Sequence, residues 1–387
     1  MGRKSVVLLL AVVFTFCLLS TPSYATETRV SSMGGVGLFI RDNSNISFFP
    51  ATLVDYSDQV IAELRVKNQD DHYTVGGHLP ISNNGAVLGI YLNRPIPIPL
   101  PVSDITNNLE LENTATIYYA MKSGDMNYGF GLSYAHDGWK ADDGDDEDIE
   151  TANYFGIHGG VSSDLYDVGV MLDLPSIKRE VGETERTFSG TGIGVVGRYF
   201  MQQTDIIEFV PVGLFYTLSG TSEYTFTMGT GESNKSETDI SHMELLLGGS
   251  VNYHITDNNI AVLGIEAFGL STETEEDEDG NKYTTQTTTL PAIYLGVESR
   301  ILSWLTGRVG ASQSYYTFKT INEPDEGDKT ETANQDTDFH FSFGFGINVG
   351  SFILDASFNE GLLFDGPNFL SGTSNNMTNK ISLVYLF

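Results

Sequence analysis

Between Asp338 and Gly350 the residues Phe339, Phe341, Phe343, Phe345, Ile347 and Val349 alternate without a break with His340, Ser342, Gly344, Gly346, Asn348 and Gly350. Successive side chains of a strand point to opposite faces, so this period of two predicts a strand with one bulky apolar face and one small polar face. Four phenylalanines at consecutive same-face positions suit a wall with lipid on one side better than the core of a soluble sandwich. Met243, Leu245, Leu247, Val251 and Tyr253 repeat the pattern against Glu244, Gly248, Ser250, Asn252 and His254, with Gly249 as the one gap. Oil on one face and water on the other is the condition of a transmembrane β-barrel strand.

From Gln59 onward the pattern stays two-fold. Val60, Ala62, Leu64 and Val66 face out against Glu63, Arg65 and Lys67, and further strands fall at 72–79 and 86–92, with a turn at Asn83-Asn84-Gly85. Prolines at 95, 97, 99 and 101 make 94–113 a loop, because proline lacks the N–H a sheet needs. Strands follow at 114–121, 126–135, 151–161, 166–174, 187–200, 206–218, 240–255, 260–270, 287–298, 304–318, 339–349, 352–358 and 380–387. The fold class is therefore all-β, a transmembrane antiparallel barrel of about 14–16 strands. Short turns at 122–125, 162–165, 201–205, 256–259 and 350–351 alternate with longer connections such as 136–150 and 271–286. That alternation predicts short periplasmic turns, long outer loops and both termini in the periplasm.

The N-terminus reads as Arg3 and Lys4, an apolar run from Val6 to Leu19, then Ser23-Tyr24-Ala25, which predicts a cleaved secretory signal over 1–25. Cys17, the single cysteine, leaves with it, so disulfide and thiol chemistry are excluded from the mature chain. Of the 20 basic residues Arg3 and Lys4 leave too, and the remainder face 51 acidic ones, which argues against a nucleic-acid partner. No later run is long and apolar enough for a spanning helix. Localisation in a Gram-negative outer membrane follows, with outer-membrane lipid and lipopolysaccharide as surroundings. The last strand ends on Phe387, similar to outer-membrane barrels whose terminal aromatic the assembly machinery recognises.

Residues 26–58 lack the two-fold pattern and form a separate unit ahead of the barrel at 59–387. Ser31-Ser32-Met33-Gly34-Gly35-Val36-Gly37, then Asp42-Asn43-Ser44-Asn45-Ile46 and Phe49-Pro50-Ala51, resemble the N-terminal segment of FadL-like and PorV-like outer-membrane proteins. Phe49 stands where those families usually carry asparagine. The resemblance implies a plug inside the barrel, with Arg29, Met33, Gly34, Gly35, Arg41, Asp42, Phe49 and Pro50 as its candidate residues. It also implies long-chain fatty acid transport as a functional class.

Charge in a barrel wall is costly toward lipid and tolerable toward the lumen. By register the candidate lumen residues are Glu63, Arg65, His78, His158, Arg198, Glu208, Glu244, His254, Glu266, Glu298 and Arg308. This mixed-sign set reads as a network anchoring the plug, and Arg41 is the cation expected to meet Glu244, Glu266 or Glu298; a selectivity lining is the other reading. Phe343→Arg is expected to be costly and Gly344→Ser mild. The dense acids at 142–148, 273–280 and 325–328 fall in the expected outer loops, as solvated surface or, in the second reading, as a site for divalent cations such as calcium. No hydrolase, zincin or P-loop motif is present, so no enzyme and no cofactor are expected. The functions left open are passive transport of a small solute, hydrophobic ones included; a non-transporting barrel that serves a protein partner; and a general porin.

Overall fold

The computed structural model describes residues 26–66, 71–82, 85–96, 111, 114–142, 147–227, 233–256, 258–359 and 378–387. The signal-peptide reading, Lys67 and most of the proline-rich loop lie outside these. The chain opens with helix α1 (Glu27–Ser32) and three 3-10 turns, Gly37–Phe39, Asn43–Ser47 and Pro50–Tyr56. Local chemistry sets each start: the Thr26 hydroxyl accepts from the Arg29 amide, the Asp42 carboxylate accepts from the Ser44 amide, and Pro50 supplies a fixed φ at a first helical position. Gly34 and Gly35, at φ 74° and 82°, turn the chain after α1 through a conformation other residues resist.

Among the described residues seventeen strands follow: β1 (Gln59–Val66), β2 (Asp71–Pro80), β3 (Val87–Leu92), β4 (Thr114–Ser123), β5 (Met126–Asp142), β6 (Glu147–Ser162), β7 (Tyr166–Val181), β8 (Thr184–Tyr199) and β9 (Met201–Thr204). The ring continues through β10 (Ile207–Thr227), β11 (Ser233–Thr256), β12 (Asn259–Asp277), β13 (Lys282–Leu302), β14 (Leu305–Glu323), β15 (Thr330–Val349), β16 (Phe352–Asn359) and β17 (Thr378–Leu386). Apart from β8 and β9, each pairs antiparallel with the next, and β17 closes on β1, from Gln59 opposite Leu386 to Arg65 opposite Lys380. β9 carries β8 onward past Phe200 and both pair with β10, so the ring has sixteen staves. Closure leaves no unpaired sheet edge at bilayer depth, the requirement for β-structure in lipid.

The outward residues form a continuous apolar band. Val60, Ile90, Ile117, Val195, Leu263 and Leu295 are all exposed, as lipid-facing positions are when the lipid is stripped away. On β15 and its neighbour the phenylalanines interlock: Phe343 stacks on Phe358 with centroids 5.2 Å apart, and Phe345 lies 5.6 Å from it. Phe352, Tyr385 and Phe387 cluster at the rim where the last strand ends, the position of an interfacial aromatic girdle.

The stave lengths are uneven. β1–β4, β16 and β17 have 6 to 10 residues, whereas β10–β15 have 19 to 24. A crossing takes roughly 9–11. The tall strands absorb what the pattern marked as loops, which corrects two of the acidic connections. Glu273 to Asp277 belong to β12, paired to β13, and β5 and β6 run together as far as Asp142 and Glu147. Among the described residues, 278–280 of the second cluster and the third cluster, 325–328, lie in turns between strands. Paired strands offset the repulsion among the acids with ladder hydrogen bonds, and lysines cross-brace them: Lys235 between Glu223 and Glu237, Lys282 with Glu276, Lys319 with Glu331. At the β12–β13 turn the Asn281 amide and side chain donate to Asp277 at 2.9 Å each, holding that carboxyl below its ordinary range.

Candidate functional site: the barrel interior

Residues 26–58 lie inside the ring, and glycines in the wall make the seat. A Cβ on Gly310 would stand 2.0 Å from the Met33 carbonyl carbon, one on Gly129 2.2 Å from the Ala51 nitrogen, and one on Gly169 1.8 Å from the Phe48 oxygen. Backbone therefore rests on backbone on opposite sides of the lumen. Gly344 belongs to the same seat: its Cβ would meet the Ser32 Cβ at 2.5 Å and the Ala356 oxygen at 2.4 Å, so Gly344→Ser is not the mild change that lumen exposure alone would make it.

One half of the interior is ionic. Arg29 of α1 grips Glu298 of β13 through Nε and Nη2 at 2.8 Å each, and its Nη1 reaches Asp42 at 3.1 Å. Arg308 of β14 donates to the same Glu298 at 2.6 Å and to Asp355 of β16 at 2.5 Å, while Asp355 accepts from Thr26. All of these side chains are buried. Buried charges persist where each is matched by an opposite charge and by hydrogen bonds, as here. Nearby, Glu27 bonds Arg65 of β1 at 3.0 Å and Lys380 of β17 at 3.2 Å, and its amide donates to Glu63 at 2.9 Å. Across the lumen Arg198 of β8 binds Asp167 of β7 at 2.8 Å and the Ile40 carbonyl at 2.6 Å.

The other half holds a large apolar cluster, among which stand a few buried polar groups: Asp173, His242 and Glu150, the last paired with Arg179. Beyond Phe48 and Phe49 the inward faces of β5–β8, β10 and β11 carry Ala135, Tyr154, Ile177, Phe188, Leu218 and Ile240, packed with Ile96 and Leu111 from the flanks of the proline-rich loop. Val196 to Phe188 alone spans about 26 Å of strand toward the outer end. At the end of the barrel with the short turns, a cavity of about 380 Å³ separates Ile40 and Arg41 from Glu208, Asn252, His254 and Arg300. A shallower apolar recess of about 530 Å³ marks the lipid face where Gly248 and Gly249 interrupt β11 beside Pro211 and Leu263.

All eleven register-assigned residues point inward, with different partners. Glu63, Arg65, Arg198, Glu298 and Arg308 bond as above. His78 meets the Tyr91 hydroxyl at 2.5 Å, His158 lies 3.5 Å from Ser133, and Glu208 binds Asn252 at 3.2 Å and lies 3.7 Å from His254. Glu244 pairs with His242 and Glu266 with Tyr294, each at 3.2 Å, so neither holds Arg41. Arg41 instead binds Asp167 at 3.3 Å and the Ser163 carbonyl, with its guanidinium 4.3 Å over the Phe200 ring. The segment's cation that meets a wall glutamate is Arg29: its helix packs against β14–β17, and its long side chain reaches across to Glu298 on the adjoining β13. In the segment itself Met33, Asp42, Phe49 and Pro50 are buried, and Gly34 packs on Ala311.

Sequence reasoning missed Asp167, Asp173 and Asp355, although their parity with inward Gly169, Met171 and Ser357 would have placed them. It also missed Arg94, which donates to Ser47 at 2.9 Å and to the Asn43 and Ser44 carbonyls at 3.0 Å from the stub of the loop. Among the described residues no group of three His, Cys, Asp or Glu converges as a metal site.

A closed antiparallel ring with an apolar exterior and its charges turned inward defines a β-barrel of the outer-membrane type, with sixteen staves. No family model matches the chain, and no curated protein does. Solved structures similar to it include a Pseudomonas aeruginosa FadL homologue, at 12% identity, covering 95% of this chain and 99% of that one with a TM-score of 0.43. The Pseudomonas putida toluene transporter TodX follows at 13% identity, 94% and 98% coverage and a TM-score of 0.39. The translocator domain of the Neisseria meningitidis autotransporter NalP matches at 12% identity, 69% and 90% coverage and a TM-score of 0.34.

Proposed function

We propose that this barrel is a passive, plugged channel for small apolar solutes. The observation that carries the reading is the two-sided interior. A water-filled porin lines its lumen with polar groups, whereas here the interior above Phe49 is dominated by a cluster of Tyr, Phe, Leu, Ile and Met side chains. An apolar molecule arriving from outside finds a surface that removes it from water, at about 25 cal/mol per Å² buried. The segment at 26–58 fills the lumen below, so a steady aqueous pore is not part of the design; its ionic latches to β13 and β7 give the passage a closed state. Purified protein in liposomes is expected to take up a dissolved apolar probe such as toluene faster than empty liposomes, while swelling in sugar or salt stays at the protein-free rate. Rapid swelling in sugar would support a general porin, and no acceleration of either solute would support the partner-protein reading.

A further inference from the structure

We propose that Asp173, Tyr154 and Tyr216 form a binding site on the apolar inner wall for the hydroxyl head of an otherwise apolar solute, an aliphatic alcohol or a phenol. The inference rests on the apolar-channel reading above and names the substrate class of that same surface.

Asp173 sits mid-strand on β7 and is fully buried, as is Tyr216 of β10. The residues opposite Asp173 on its two neighbours are both glycines, Gly156 on β6 and Gly192 on β8. Each bare position is used in the same way. A Cβ on Gly156 would stand 2.3 Å from the Tyr154 hydroxyl, and one on Gly192 would stand 2.2 Å from the Tyr216 hydroxyl. Two phenols are thus laid over backbone from either side toward one carboxyl group. Tyr154 completes its bond, donating to Asp173 Oδ1 at 2.6 Å. The other side is incomplete: Tyr216 Oη lies close enough to Asp173 to interact with it, yet neither that hydroxyl nor Asp173 Oδ2 makes a hydrogen bond of good geometry. Around them stand Met171, Ile177, Phe188, Leu218 and Ile240.

A buried carboxyl oxygen and a buried hydroxyl without partners are unfavourable unless something supplies both a donor and an acceptor. A hydroxyl does: it donates to Oδ2 and accepts from Tyr216, while its hydrocarbon lies along the apolar wall. A hydrocarbon without the hydroxyl leaves both groups unmet. A carboxylate brings acceptors against an acceptor. Sites that hydrogen-bond a ligand hydroxyl reject the analogue lacking it far more strongly than apolar pockets reject a size difference.

The test compares 1-decanol, decane and decanoate on the purified full-length mature protein, by equilibrium binding and by liposome uptake. It uses wild type, Tyr216→Phe and Asp173→Leu, with heat-modifiable gel mobility to establish folding. Wild type is expected to bind 1-decanol at least about tenfold more tightly than decane or decanoate. Tyr216→Phe should lose much of that preference and Asp173→Leu the rest, with decane binding kept in both. Tyr216→Phe removes one oxygen, so it decides the matter if Asp173→Leu does not fold. Equal binding of decanol and decane by wild type, or a preference that survives both substitutions, overturns the site: the two groups are then satisfied by each other or by a trapped water. That result leaves the apolar channel standing, provided decane binds. Failure of wild type to bind any of the three sinks both readings.

Discussion

Replacing Arg29 with methionine isolates the latch between the luminal segment and the wall. The substitution keeps the length and apolar stem of the side chain and removes three charge-assisted hydrogen bonds, two to Glu298 and one to Asp42. Glu298 retains Arg308, and Asp42 retains the Ser44 amide and hydroxyl at 2.9 and 2.7 Å, so neither carboxylate is stripped of every partner. Breaking a buried pair from one side costs about 3–5 kcal/mol, and the surviving partners place this case near the lower figure, about 3 kcal/mol. At about 1.4 kcal/mol per decade, that shifts the balance between seated and unseated segment roughly a hundredfold. The wall closes its own hydrogen bonds without α1, so the loss falls on the seat and not on the barrel. Single-channel recording in planar bilayers is the assay: wild type should stay quiet, and Arg29→Met should show frequent openings at unchanged heat-modifiable mobility. Glu298→Gln and the double variant complete a cycle, in which the coupling should exceed about 1 kcal/mol because the partners touch. Quiet recordings from Arg29→Met, or effects of the two substitutions that simply add, would refute the latch.

Gly310→Leu should unseat the segment by sterics alone, since even a Cβ there meets the Met33 backbone; greater protease access to the 26–58 segment, with the barrel intact, is the measurement. Phe343→Arg puts a charge on the lipid face and should cost about 2–4 kcal/mol near the midplane, read as a lower urea midpoint for loss of the folded gel band. With no cysteine in the chain after Cys17, Glu326→Cys in the β14–β15 turn should react with an impermeant maleimide on intact cells, whereas Asn258→Cys should react only after the outer membrane is opened. Labelling in the reverse order would invert the topology.

The lower part of each stave was legible in the sequence because lipid imposes a contrast. Phe339 to Val349 alternate since one face meets oil, and the same contrast placed Glu63, Glu298 and Arg308 inward. Above the bilayer the contrast vanishes. Thr330 to His340 of β15 are exposed at every position, on both faces, so β-structure there has no hydrophobic period to announce it and the acid and threonine runs pass for loops. Inside the lumen the sequence gives sides but not partners. Arg29 and Arg41 look equivalent in the chain; only the turn at Gly34-Gly35 and the path of the 3-10 turns send one to Glu298 and the other to Asp167.

The uneven staves also bear on how such a wall is put together. Every hairpin from β10 to β15 has to deliver its upper arms, with their aspartates and glutamates, through hydrocarbon before those arms can pair in water outside, and charged side chains resist that passage. The seam between β1 and β17 bears the least of this load. Its strands have 8 and 9 residues and seven paired positions, ending at Arg65 and Lys380, whose side chains both turn back inside to Glu27. Within its paired strands, the seam therefore carries little polar chain. The first acidic residue of the sequence, Glu27, stands inside that seam to tie its two edges together.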